Sequence, residues 1–324
     1  MQAQRARLDA GRWHFQHGPI DLMIVAEGDA GAVAAAHETA WARFQTVLSE
    51  LVAELRALRQ PVRGPCALQG AVARRMWGAC RPYDAGFITP MAAVAGAVAQ
   101  EIVAHYARAG VRRAWVNNGG DIALHLGDPN SGASVKVGVF ADLARVSPVV
   151  GTSLVGSPIV GSPADGAPAL DADFTVHAGL PVRGIATSGW RGRSFSLGIA
   201  DSVTVLARTA AMADAAATVI ANAVNVADPR IVRRPASELK DDTDLGDLAV
   251  TVDVPALEPA RVLEALRAGQ RRALELQRLG LIHSALLVCQ HRALGVEGPL
   301  PADGVSAIGA LDPAPASEVG SVFA

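Results

Sequence analysis

Lysine is nearly missing from this chain, standing only at Lys136 and Lys240 among 324 residues, while arginine carries almost all the positive charge. Together with abundant alanine, that imbalance reads as a base-composition bias and not as function. The formal net charge of −2 leaves no basic excess for a nucleic-acid groove or an anionic membrane surface. Only three cysteines occur, Cys66, Cys80 and Cys289, far apart and without CxxC spacing. This pattern argues against a disulfide framework and a structural zinc site, and a reduced, cytoplasmic protein is expected. The opening MQAQRARLDAGRW has basic side chains but no apolar stretch behind them, so no secretory or lipoprotein signal is expected. No segment approaches the roughly 18 uninterrupted apolar residues of a membrane span. Even the alanine-rich stretch at 90–109 carries Gln100, Glu101, His105 and Arg108. GxSxG, P-loop, GxGxxG and HExxH motifs are absent, and His17, beside Gly18-Pro19, is the most site-like of the histidines.

Half of the residues are apolar, enough for a substantial core. Residues 1–11 read as a disordered lead, 12–298 as a single domain, and 299–324 as a flexible tail. Trp13 to Val25 predicts two strands around the turn Gln16-His17-Gly18-Pro19. Trp41, Phe44, Leu48, Leu51, Leu55 and Leu58 recur at three- and four-residue spacing, which predicts one long amphipathic helix over 31–59. A second helix starts with Thr89 as N-cap and Pro90 at its first position, and Gly110 lies beyond its end. Its alanines and Gly96 leave the first turns almost bare, suited either to tight packing on a sheet or to a flat ligand. Ala114–Val116 and Ile122–Leu126 flank the turn VNNGGDI as strands, and Val135–Phe140 is expected to continue that sheet. Residues 147–182, rich in glycine, proline and serine, read as an insertion of long loops or short edge strands. A strand over Ser202–Leu206, a helix over Thr209–Val226, a strand over Leu248–Val254, a helix from about Glu258 to Leu279 closed by Gly280, and a buried strand over Ser284–Cys289 follow.

Three segments could carry chemistry. VNNGGDI places two amides, two glycines and a carboxylate in one tight turn. Asn117, Asn118 and Asp121 offer polar atoms, and Gly119 and Gly120 permit positive φ and close approach; a plain chain reversal uses the same residues. IATSG ends a strand in Thr187, Ser188 and Gly189, where hydroxyls and backbone N–H groups could hold a phosphate or a flavin edge, with Arg191 and Arg193 to neutralise charge. A solvated polar turn is the alternative. Asp214 and Thr218 stand four apart on one helical face, a carboxylate and a hydroxyl suited to half of a Mg²⁺ site. The rival reading is an exposed aspartate and a threonine bonded to its own helix carbonyl. Cys80, near Arg74, Arg75 and Arg81, is either a thiolate-favouring cysteine or an inert buried thiol.

Taken together, VNNGGDI, IATSG, SVTV and ADAAAT resemble the ApbE superfamily, whose best-known members are Mg²⁺-dependent FAD:protein FMN transferases. RWHFQHGPIDL, FITPMAAVAGAVAQEI and IATSGWRGRSFSLGIADSVTVLA are similar, more closely, to the UPF0280 group within it. The resemblance spans about residues 12–295 and implies an α/β fold, an α+β layered sandwich of T-fold-like type, that takes a flavin or related nucleotide. It implies Mg²⁺ at Asp214 and Thr218, and FAD or FMN near Asn117–Asp121 and Thr187–Gly189. The chain departs from the transferases in two segments. The interval WRGRSFSLGIAD lacks their histidine, the usual base, and FITPMAAVAG lacks their lysine. Group transfer, nucleotide carriage without turnover, and sulfur relay through Cys80 are thus competing expectations, with a small-molecule ligand, no nucleic acid, no membrane, and homodimerisation left open.

Overall fold

The computed structural model describes residues 2–8, 11–139, 147–148, 172–192, 194–298 and 320–323. The chain divides into two compact units. The first comprises Met1–Ala133, Pro181–Ala186 and Leu206–Ala215; the second comprises Ser134–Leu180, Thr187–Val205 and Ala216–Ala324. The secondary structure is mixed, with mainly antiparallel strands and six α-helices among the described residues.

In the first unit, β1 (Gln4–Arg7) pairs antiparallel with β2 (Trp13–His17), which reverses at Gly18, φ 58°, into β3 (Ile20–Gly28). Period-two alternation turns Phe15, Leu22 and Ile24 into the core. Gln4–Arg7 thus corrects the expectation of a disordered lead. Arg5 lies 5.6 Å and 5.2 Å from the Trp13 and Trp41 ring centroids and pairs with Glu38 at 2.8 Å, contacts that local sequence cannot announce. Helix α1 (Ala30–Ala53) is capped by Asp29, whose carboxylate accepts the Ala32 N–H at 2.9 Å, and buries Ala36, Ala40, Phe44, Val47 and Leu51.

The single helix expected over 31–59 breaks at Glu54 before the short α2 (Leu55–Leu58). The Glu54 carboxylate accepts the N–H groups of Gln69 and Gly70, both at 2.7 Å, at the start of α3 (Ala71–Cys80). A 3₁₀ turn over Pro90–Ala93 leads into α4 (Val94–Val103); Thr89 holds the extended backbone of a cap, but its side chain makes no capping bond. Strands β4 (Val111–Asn118) and β5 (Asp121–Leu126) complete the antiparallel run β1-β2-β3-β4-β5, and α4 packs on both.

Strand β6 (Ser134–Val139) opens the second unit. It does not continue the sheet of its sequence neighbours; after β7 (Ser147–Pro148) comes its antiparallel partner β8 (Ala172–His177), and its parallel partner lies at the far end of the chain. Strand β9 (Gly184–Ser188) pairs its first residues with β5 inside the first unit, through Ile122↔Ile185 and Ala123↔Gly184. Strand β10 (Ser202–Ala207) and helix α5 (Ala210–Ala223) follow, each contributing residues to both units.

The remaining elements belong to the second unit: β11 (Val232–Pro235), its antiparallel partner β12 (Ala249–Asp253), α6 (Pro259–Arg278), the hairpin β13 (Ser284–Cys289) and β14 (Arg292–Val296), and β15 (Gly320–Phe323) beside β6. Helix α6 buries Val262, Ala265, Leu266, Ala273 and Leu276 and ends at Gly280, φ 69°. Of the segment at 147–182, residues 149–171 lie outside the described residues, as do 299–319 of the tail. Among the described residues no helix is long and apolar enough to cross a membrane.

Candidate functional site

The reversal between β4 and β5 has Asn118 and Asp121 paired across it and two residues in the loop. Gly119 and Gly120 take φ 66° and 110°, the double left-handed geometry that matches the twist of a tight hairpin and that side chains resist. The Asn117 Oδ1 accepts the Gly120 N–H at 2.8 Å, so this amide closes the turn from within. Asn118 is buried and points elsewhere: its Nδ2 donates to the Ala95 carbonyl at 3.1 Å. Asp121, also buried, completes the hairpin.

Asp214, on the first turns of α5, meets the same stretch of α4. Its Oδ2 accepts the Gly96 N–H at 2.9 Å, and the Ala95 N–H also donates to the carboxylate. The peptide between Ala95 and Gly96 is therefore gripped at both ends, its oxygen by Asn118 and its N–H by Asp214. The close approach depends on the missing side chain at Gly96. A Cβ there would overlap the Ala210 carbonyl oxygen and come within 2.9 Å of the Asp214 Cβ. The bare face of α4 thus serves helix-on-helix and helix-on-hairpin packing, one of the two uses its composition allowed.

Burial pushes the Asp214 carboxyl up to about 7, against the opposing pull of the Gly96 and Ala95 N–H groups. No basic side chain pairs with it among the described residues. Cys80 is fully buried, and burial together with the nearby Asp214 charge raises its thiol well above the ordinary range. Two of the three arginines that suggested a thiolate are engaged elsewhere: Arg75 bonds Glu101 at 2.7 Å, and Arg81 pairs with Asp84 and lies over the Trp77 ring. The setting is that of an inert thiol. His17, the site-like histidine, is buried with its ring 6.3 Å from Phe44, and His37 bonds the Tyr106 hydroxyl at 2.7 Å; both belong to an aromatic core.

The other predicted residues lie in the second unit. Thr187 shares a hydrogen bond with Thr204, 3.0 Å between hydroxyl oxygens, and Ser188 is half-buried. At Gly189 a Cβ would overlap the Asp201 carbonyl oxygen, so glycine is obligatory there too. Arg191 is largely exposed and sits 5.0 Å over the Trp190 ring; Arg193 lies outside the described residues. Thr218, half-buried, stands one helical turn beyond Asp214 on α5. Among the described residues no three His, Cys, Asp or Glu side chains gather as a metal site. Sequence reasoning missed Trp190, Asp201 and the Ala95–Gly96 peptide. For that peptide the available signal was a lone glycine inside an alanine-rich helix.

A family model described as AbpE bacteria matches residues 5–299. Among curated proteins, a UPF0280 protein of Methanothermobacter thermautotrophicus is 36% identical over 172 residues, 53% of this chain and 55% of that protein. One from Methanopyrus kandleri is 36% identical over 200 residues, 59% and 66% of the two chains. One from Methanothrix thermoacetophila is 32% identical over 199 residues, 59% and 70%. The chain spans between about half and two thirds of the length of most of these relatives.

Proposed function

The chain belongs to the AbpE bacteria family, among the ApbE-like proteins that include the UPF0280 group, and from that premise we propose that it binds a flavin or related nucleotide together with Mg²⁺. The T-fold-like layered architecture of the ApbE type is part of the same proposal. The observation that carries it is the double grip on the Ala95–Gly96 peptide, which brings the amide-and-glycine hairpin and the Asp214 carboxylate to one place.

The residues fit a hard divalent cation. Asp214 retains acceptor capacity beyond its two N–H donors, has no basic partner among the described residues, and is raised by desolvation above the ordinary carboxylate range; a bound cation would pull in the opposite direction. Thr218 presents a hydroxyl one turn along the same helix. Bound there, Mg²⁺ would supply positive charge against a ligand's phosphates. Asn117 and Gly119–Asp121 shape the hairpin beside Asp214; for Thr187, Ser188, Gly189, Arg191 and Arg193 the nucleotide role is carried from the sequence alone. Binding is favoured over FMN transfer because the interval 190–201 holds no histidine to act as base, and general-base catalysis is worth roughly 10²–10⁴-fold.

Native mass spectrometry of the purified chain with FAD, in Mg²⁺ and in EDTA, tests this. Retention of FAD should depend on Mg²⁺. Asp214→Asn, whose amide oxygen still accepts the Gly96 N–H, should stay folded yet lose that dependence. FAD retention unaffected by both EDTA and Asp214→Asn would remove the metal from the proposal, and absence of FAD and FMN binding under all conditions would remove the function. Release of AMP from FAD in the same samples would show that transfer occurs despite the missing histidine.

A further inference from the structure

Within the second unit, Asp201 holds two turns at once. Its Oδ1 accepts the indole N–H of Trp190 at 3.3 Å, and its Oδ2 accepts the backbone N–H of Gln290 at 2.6 Å. The main chain ties the same knot: Trp190 donates to the Ala200 carbonyl at 3.0 Å, and Asp201 donates to that of Val288 at 2.9 Å. The Trp190 ring, fixed through its only polar atom, remains half-exposed. The Arg191 guanidinium lies 5.0 Å over the ring centroid, its side chain 68% exposed and its Nε 3.7 Å from the Asp201 Oδ1.

A half-buried tryptophan at a turn gains little from being oriented; here a hydrogen bond and a stacked cation both orient it. The opposite side of the knot is equally constrained. Gln290 and His291 take φ 42° and 62°, a backbone that side chains keep only where the surroundings impose it. The Gln290 side chain accepts the Leu257 N–H at 2.9 Å and donates to the Pro255 carbonyl at 2.7 Å, which anchors the strand hairpin that in turn anchors Asp201.

We propose that Trp190 is a stacking platform for the planar ring of the flavin or related nucleotide, that Asp201 is the residue positioning it, and that Arg191 meets the ligand's phosphate. This rests on the ligand class proposed above. Rings stack on indole with little regard to their edge chemistry, so the platform selects for flat, electron-poor heterocycles and leaves finer discrimination to other groups.

Titration of the full chain with FMN in the presence of Mg²⁺, followed by flavin emission, is the test. Stacking on an indole quenches bound flavin, so wild-type emission should fall to saturation. Trp190→Ala should weaken binding about tenfold and abolish most of the quench. Trp190→Phe keeps a ring but not the electron-rich indole, and should hold affinity within about threefold while losing the quench. Asp201→Asn should lose part of the quench while circular dichroism reports an unchanged fold. Should wild type bind FMN and Trp190→Ala bind it equally well with equal quenching, the platform is wrong while the flavin reading stands. Should wild type bind neither FMN nor FAD, both fall.

Discussion

Two of the two-residue strand reversals among the described residues are made with opposite chemistry. Between β4 and β5 the left-handed positions are Gly119 and Gly120; between β13 and β14 they are Gln290 and His291, at φ 42° and 62°. Glycine makes the first turn intrinsically comfortable, and its neighbours Asn117 and Asn118 are left to organise what surrounds it. The second turn is uncomfortable by itself and is held by Asp201, Leu257 and Pro255 through the backbone and side chain of Gln290. One reversal is written into local sequence; the other is imposed by the fold around it.

Mutating the turns tests that distinction. Gln290→Gly relaxes the backbone but deletes two side-chain hydrogen bonds, each worth about 1 kcal/mol, and leaves the Leu257 N–H short of its partner. A net loss near 2 kcal/mol in urea unfolding is expected; a gain would mean that strain, not anchoring, dominates that turn. Gly120→Ala forces a Cβ into φ 110° and should cost about 1 kcal/mol by the same measurement. His291→Gly, at an exposed position, should run the other way and stabilise by a few tenths to about 1 kcal/mol, since it removes strain and no hydrogen bond shown here.

The first unit also carries a pH-dependent effect. Burial lowers the His37 pKa to about 4 from an ordinary value of 6.5, so the folded first unit holds a neutral imidazole against Tyr106 and Trp13. Because the folded pKa is depressed, the associated stability is complete above pH 6.5 and is lost as pH falls toward 4. Near-ultraviolet circular dichroism should report loosening of the Trp13–Trp41 cluster over that window, and His37→Gln should flatten the dependence. Unfolding that begins in the second unit's signals would contradict it.

Much of the fold was legible because the signals were local. The alternation over Trp13–Val25, the NNGG turn, the strand ending in ATSG and the helix closed by Gly280 all appear where periodicity and turn chemistry place them. The misses are equally physical. Strand β1 pairs with the next strand and is held by Arg5 stacking on Trp13 and on Trp41, the break at Glu54 accompanies a carboxylate bonded at the start of α3, and the displacement of β6 follows from pairing with a strand over 172–177. Trp13 apart, these partners lie well away in sequence. For the candidate site, glycines and paired polar residues drew attention to the turns at 117–121 and 187–189, whereas Trp190 carried no local signal and is singled out only by the bond from its indole to Asp201.

Sequence alone determined which residues can occupy special backbone, which helical faces carry oxygen, and the family to which the chain is similar, because those properties depend on side-chain type and on spacings of a few residues. Only the tertiary structure decided that Asn118 and Asp214 grip one peptide, that Cys80 is sealed away, and that Asp201 holds the turn at Gln290, 89 residues away. Hydrogen bonds and burial between distant segments follow from how the whole chain packs, and no local pattern encodes them.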